Sequence, residues 1–423
     1  MSHVHIIGAG LAGLSSAIRL TQDGHRVILH EAGPAAGGRC RSYFDKALGR
    51  RIDNGNHLLL SGNHAAMGYL ETIGARDLLA GPRVAIFPFM DVNSGECWTV
   101  APGAGRVPWW VLRRNTRVPG TTLLEYTQLL SLHAASANAT VAQALDRCSA
   151  LYRRLLEPLA VAALNTPPDA ALARLFGAVV RETLMKGGRA CMPLYPKVGL
   201  SETFIDPAMA WLGARGARLH TGRRVTALSL AEGRVVAFDT TEGPIQVAPG
   251  EAVVLAVSAP VAQDLLPRQM VPDAFEAIVN VHFLIDAQPA GDVAEAGFLG
   301  LIGGTAEWIF IKPGIVSITI SAANRLVDRT ADDLAAAIWP EVRMALGLQG
   351  PMPKRRVVKE RRATIAATAA QEARRPPART PIVNLVLAGD WTATGLPGTI
   401  EGAVRSGHTA AEALRPVLSD MPR

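Results

Sequence analysis

The stretch that decides the fold is 4-VHIIGAGLAGLSSAIRLTQDGHRVILHEAG-33, near the start of a 423-residue chain. Val4 to Ile7 form a short apolar run rich in β-branched residues, the pattern of a buried parallel strand. Gly8-x-Gly10-x-x-Gly13 follows at once, and Leu14, Ala17, Ile18 and Leu20 then recur at helical spacing. Gly24 closes this helix, and Arg26 to His30 form a second strand that ends at Glu31. In such a unit the first glycine makes a tight turn, the second admits a pyrophosphate to the backbone, and the third lets helix and strand pack closely. Leu11 and Ala12 open the helix, whose free N–H groups and positive dipole end suit that pyrophosphate. Glu31, followed by Ala32, stands where an acid takes ribose hydroxyls. A glycine-rich turn alone is a weak signal. With strand, helix, second strand and terminal acid in register, it predicts a Rossmann-type dinucleotide site in an α/β fold.

The next residues, 32-AGPAAGGRCRS-42, extend the reading. A nicotinamide-dinucleotide domain would continue to its third strand here. Gly37-Gly38-Arg39 instead suits a longer dinucleotide whose ribityl chain and flavin run past the first βα unit. Near the other end lies 387-LAGDWTATGLPGTIEGAVRSG-407, where an apolar run stops at Gly389-Asp390 and a helical pattern starts around Gly398, Thr399, Ile400 and Glu401. Reduced flavin carries negative charge near its pyrimidine carbonyl, and a helix N-terminus stabilises an anion.

These motifs resemble the amine-oxidase and phytoene-desaturase flavoprotein superfamily. The resemblance implies an FAD-binding domain assembled from both chain ends, with an α+β substrate domain inserted between. It implies that Gly37–Arg39 lie along the pyrophosphate and ribityl chain, and that Asp390 holds a ribityl hydroxyl. Val225 would meet the adenine through its backbone, and residues 398–401 would start the helix aimed at the pyrimidine. No cysteine falls within 388–402, so a non-covalent FAD is expected.

Four other stretches discriminate further, 52-IDNGNHLLLSGNHAAMGYLETIGA-75, 164-LNTPPDAA-171, 192-MPLYPKVGLSETFIDPAMAWL-212 and 278-IVNVHFLID-286, of which DNGNH and LNTPP are the narrower. With them, nearly the whole chain resembles the squalene-associated FAD-dependent desaturases, whose characterised activity is dehydroxylation of hydroxysqualene to squalene for hopanoids. That chemistry needs hydride from reduced flavin, acid help for a departing hydroxyl, and a dry apolar pocket for an allylic cation. Asn54, Gly55, Asn56 and His57 are expected at the cofactor. His57 and His282 are the candidate proton donors, although a lone histidine beside apolar residues is more often a hydrogen-bonded core group. Asn280 stands where amine oxidases commonly carry a lysine, which counts against amine oxidation. A carotenoid-type desaturase is the closest enzymatic alternative. A flavin-free isoprenoid carrier of the Rab-escort kind is the alternative from another class, and the intact flavin motifs oppose it.

The length predicts two or three domains, and 49% of residues are hydrophobic. No apolar run is long enough to span a bilayer and no leader precedes strand one, so a cytoplasmic protein is expected, with membrane contact at most peripheral to the inner face of the cytoplasmic membrane. Cys40, Cys97, Cys148 and Cys191 are scattered, which indicates neither disulfide nor metal site. The net charge of +7 concentrates at Arg113-Arg114-Arg117 and at Lys354-Arg355-Arg356, Lys359, Arg361-Arg362. No aromatics interleave with them as nucleic-acid stacking requires. Solvated faces and strand edges are the plain explanation, and an anionic membrane surface is the expected partner besides a hydrophobic isoprenoid.

The expected organisation is FAD-binding at 1–75, 216–270 and 381–423, a mainly helical substrate or cap region at 76–215, and a substrate-domain sheet and helix at 271–380. A hairpin is expected in 223-RRVTALSLAEGRVVAFDT-240, turning at Glu232-Gly233.

Overall fold

The expected strand–helix–strand unit forms as β1 (His3–Ile7), α1 (Leu11–Gln22) and β2 (Arg26–His30) in the computed structural model, which describes residues 3–419. The two strands run parallel with Val4 beside Val27 and Ile7 beside His30. Both are buried on both faces, which is why their sequences read as apolar runs. Residues Ala252–Leu255 pair with β1 on its other side, Leu385–Leu387 add beyond them, and Arg218–His220 close the opposite edge. All five strands are parallel, and they come from both chain ends and the middle. The C-terminal helix, Ile400–Ser419, lies against α1. Ser15 donates to the Val404 carbonyl at 2.9 Å, and any side chain on Gly407 would strike the Ala12 carbonyl. Leu14 and Leu414 are fully buried nearby, each contributing ~1.5–3 kcal/mol.

The second sheet has seven strands in the order 355–365, 275–283, 315–320, 308–312, 298–302, 87–91 and 97–100. All neighbours are antiparallel except 298–302 with 87–91. Helix Ala331–Ala345 covers one face through Leu334, Ile338 and Val342. Within the stretch expected to be mainly helical, strands are expected near Val84–Phe87 and Cys97–Val100; they form at 87–91, inside the sheet, and at 97–100, its edge. The eleven-residue strand Arg355–Ile365 coincides with the second basic cluster; RRVVKERRATI alternates poorly and both its faces are part-exposed, so its period does not announce a strand. The hairpin forms as Val225–Ala231 and Arg234–Thr240, with Glu232 and Gly233 both at positive φ as a tight turn requires.

The region expected to be mainly helical is interrupted at two places. Tyr152–Leu156 and Ser201–Ile205 are π-helical turns, each followed directly by an α-helix with proline at its second residue, Pro158 and Pro207. A proline has no N–H to donate four residues back and its ring crowds that carbonyl, so the wider turn absorbs the conflict.

Candidate active site

A cavity of about 840 Å³ lies where the parallel sheet meets strands 275–283 and 355–365 of the second sheet. Its wall includes Gly8, Gly10, Leu11, Ala12, Glu31, Ala32, Gly37, Gly38 and Arg39 from the first βα unit. It also includes Asn54 to His57, Val225, Asn280, Gly389, Asp390, Gly398, Thr399 and Ile400. Segments far apart in the chain therefore converge on one space.

The three glycines of the first turn differ in what surrounds them. Gly8 has φ +102°, and a Cβ there would lie 2.5 Å from the Ala256 carbonyl oxygen. A Cβ on Gly13 would collide with the Gly8 carbonyl, so this glycine sets the helix-to-turn distance without lining the cavity. A Cβ on Gly10 would meet nothing within 4 Å, and it would occupy the cavity. No side chain caps α1 and no acid stands in its first turn, so its N-terminal N–H groups face the cavity uncompensated. This is the cradle of an anion, and a pyrophosphate fits it.

Glu31 is held for a neighbouring role by its own backbone: Ala9 and Gly33 donate to its two carboxylate oxygens at 2.8 and 2.7 Å. Each oxygen keeps lone pairs for ribose hydroxyls. Gly37 donates to the Ala9 carbonyl at 2.8 Å, which brings the second glycine loop onto the first. Arg39 and Asp390, 351 residues apart, form an ion pair at 2.6 Å at the cavity wall. Thr399 accepts from the Gly402 N–H at 3.1 Å, and the C-terminal helix then starts at Ile400 on the cavity wall.

Arg375 was not anticipated. It is buried and donates to the carbonyls of Asp390, Thr392 and Leu396 and to the Thr394 hydroxyl, at 2.6–2.8 Å. It fixes the loop that carries Asp390. Its sequence context, EARRPPAR, gave no periodicity to mark it.

Asn280 hydrogen-bonds along the cavity floor. Asn56 donates to the Thr319 hydroxyl at 3.0 Å, which donates to the Asn280 side-chain oxygen at 2.8 Å. His57 lines the same cavity, and burial lowers its imidazole to about 4, so it is neutral at pH 7. No lysine is on this wall among the described residues.

Two expected site residues, His282 and Glu401, do not line this cavity. His282 is two residues from Asn280 but lies in an adjacent cavity of about 550 Å³, where its Nδ1 is 2.7 Å from the Ser317 hydroxyl. Burial lowers it to about 4 as well. Glu401 turns away from the cavity. Its carboxylate accepts from the Ala65 and Ala66 N–H groups at 3.1 and 2.8 Å, at the start of helix His64–Thr72, because that N-terminus needs an anion. Trp391 also lines the cavity, but it is 2% exposed and its ring N–H donates to the Val257 carbonyl at 2.7 Å. In the LNTPP stretch, buried Asn165 donates to the Thr364 hydroxyl at 2.9 Å and accepts from Ala322 N–H at 2.7 Å, so it ties a helix end to the second sheet. Asp53 of DNGNH likewise acts structurally, pairing with half-buried Lys312 at 2.9 Å and accepting from Ser42 and Leu200. Glu307, just before strand 308–312, has no local pattern to mark it; it accepts from Ser321 N–H at 2.7 Å, and burial pushes its carboxyl up to about 7.

Residues 11–415 match the family of flavin containing amine oxidoreductases. The chain is 48% identical to hydroxysqualene dehydroxylase of Rhodopseudomonas palustris, over 97% of each chain. It is 24% identical to the 15-cis-phytoene desaturase of Glycine max, covering 97% of this chain and 79% of that one. Cyclohexylamine oxidase of Brevibacterium oxydans superposes with a TM-score of 0.70 at 16% identity over 99% of both chains. The cradle at Gly10, the carboxylates Glu31 and Asp390 and the exposed start of the C-terminal helix suit a flavin dinucleotide. The chain belongs to the flavin containing amine oxidoreductase family and, within it, to the hydroxysqualene dehydroxylases.

Proposed function

We propose that the protein binds FAD without a covalent link and converts hydroxysqualene to squalene, replacing an allylic hydroxyl by hydrogen. The observation that carries this reading is full-length similarity to hydroxysqualene dehydroxylases, with a cavity wall that lacks the lysine of amine oxidases. The N–H groups at Leu11 and Ala12 would hold the pyrophosphate, Glu31 the ribose and Asp390 a ribityl hydroxyl. The start of the C-terminal helix would offset negative charge at the pyrimidine. Bound FAD, once reduced, supplies the hydride. The hydroxyl would leave as water after taking one proton from solvent, and such acid help is worth ~10²–10⁴-fold. His57 is neutral at pH 7, so its part is to donate a hydrogen bond that orients the hydroxyl beside Asn280, rather than to carry a standing positive charge. The substrate is insoluble in water, which supports a reading in which the protein works at a membrane surface.

The test is anaerobic incubation of dithionite-reduced protein with hydroxysqualene, followed by product analysis. Squalene is the expected product. Formation of a further conjugated, dehydrogenated product by the oxidised protein instead would support carotenoid-type desaturation.

A further inference from the structure

The geometry points to residues 105–134 as the surface that docks on an anionic lipid bilayer. This lobe has an inner and an outer side. Inside, Val111, Val118 and Leu132 join the apolar core, and the Trp110 ring meets Tyr126 edge-on at 5.5 Å. The Tyr126 hydroxyl accepts from Val118 N–H at 3.0 Å, which ties the loop to the helices beyond it. Outside, Val107, Trp109, Leu112, Leu123, Leu124 and Leu130 project into solvent, with Trp109 67% and Leu124 77% exposed. Large apolar side chains exposed this densely in one segment mark an interaction site, and tryptophan favours the membrane interface.

Charge selects the partner. Arg106, Arg113 and Arg114 are exposed among these apolar groups, and no carboxylate of the described residues pairs with them. The only acid between positions 101 and 145 is Glu125. It turns inward to accept from Leu151 and Thr122 N–H groups at 2.9 and 3.0 Å. A second copy of this chain would set like charges face to face, whereas anionic headgroups would neutralise them. Most of the other basic cluster is already occupied. Arg355 pairs with Asp332, Arg356 with Asp45 and Arg361 with Asp328, while Lys359 donates to the Val327 carbonyl. No large apolar side chain is exposed on that strand. Of the two clusters expected to meet lipid, only the one at 113–117 has the surroundings for it.

The proposal rests on the isoprenoid reading only for the need of a membrane, and vesicle binding tests it separately from catalysis. The flavin-loaded protein is floated with phosphatidylcholine vesicles with and without phosphatidylglycerol. Binding is expected only with the anionic lipid. Arg113→Glu/Arg114→Glu should weaken it at least about 25-fold, roughly fivefold for each charge. Trp109→Ser/Leu124→Ser should weaken it comparably, while Arg355→Glu/Arg361→Glu should stay within about twofold. Dehydroxylation of detergent-dispersed substrate should be unchanged in all variants. Wild-type protein that binds vesicles but yields no squalene would sink the catalytic reading alone. Equal binding to neutral vesicles, full binding by Arg113→Glu/Arg114→Glu, or a wild-type dimer that Trp109→Ser/Leu124→Ser dissociates would overturn the docking surface.

Discussion

Replacing Asp390 by alanine removes the carboxylate that the C-terminal loop presents to the cavity. Asp390 is 5% exposed, and the four hydrogen bonds of Arg375 hold its loop in place without using its side chain. The substitution therefore leaves the loop's scaffold standing. Two interactions are lost. The first is the ion pair with Arg39, whose side chain is 43% exposed and can turn to water, so its loss costs at most ~1 kcal/mol. The second is a charged acceptor for a ribityl hydroxyl, worth ~1.5–3 kcal/mol. The dissociation constant for FAD should rise about 10- to 150-fold. Asp390→Asn, which keeps an acceptor oxygen but loses the charge, should fall between. The assay is titration of flavin-free protein with FAD, followed by flavin fluorescence, beside a melting curve of the flavin-free form. The expected result is a weakened constant with little change in melting temperature. An Asp390→Ala protein that binds FAD as tightly as wild type would refute the reasoning.

Three further outcomes follow from the same structure. Gly10→Val should abolish flavin binding while the flavin-free protein still folds, because the new side chain enters the cavity; Gly13→Val should instead prevent folding, because it meets the Gly8 carbonyl. Circular dichroism and absorbance at the flavin band separate the two. Glu307 has its carboxyl raised from 4.5 to about 7, so the folded protein holds the proton and stability falls as pH rises through that interval. Glu307→Gln should therefore melt higher than wild type at pH 8, by up to about 3 kcal/mol in stability, with the gain shrinking toward pH 5; a pH-independent difference would count against the shift. Lys312→Met leaves Asp53 buried without its cation and should cost about 3–5 kcal/mol by denaturant unfolding. Adding Asp53→Asn should recover part of that loss, and no recovery would mean that the pair is not the cause.

The features legible in the sequence are those whose cause is local. The turn at Gly8 is forced by a positive φ and a carbonyl at its would-be Cβ, so glycine at that spacing announces it. The helix and strands around it bury one stripe or both faces, and periodicity reports that directly. The hairpin at Glu232-Gly233 is likewise local, since two positive φ angles must follow one another. Chemistry that depends on partners far along the chain was not legible in the same way. Glu401 carries the charge expected at a flavin, but its orientation was decided by the uncapped helix at His64, which lies 337 residues earlier. Asn280 and His282 share a strand face, yet the DNGNH loop separates them into two cavities. Asp53 and Lys312 are 259 residues apart, and Arg375 holds a loop whose shape no window of sequence describes. By itself the sequence determined the dinucleotide unit and the family, because steric limits on glycine and the period of burial act within a few residues. The tertiary structure alone decided which polar side chains face the cavity, because a buried charge goes wherever packing brings it an unsatisfied partner.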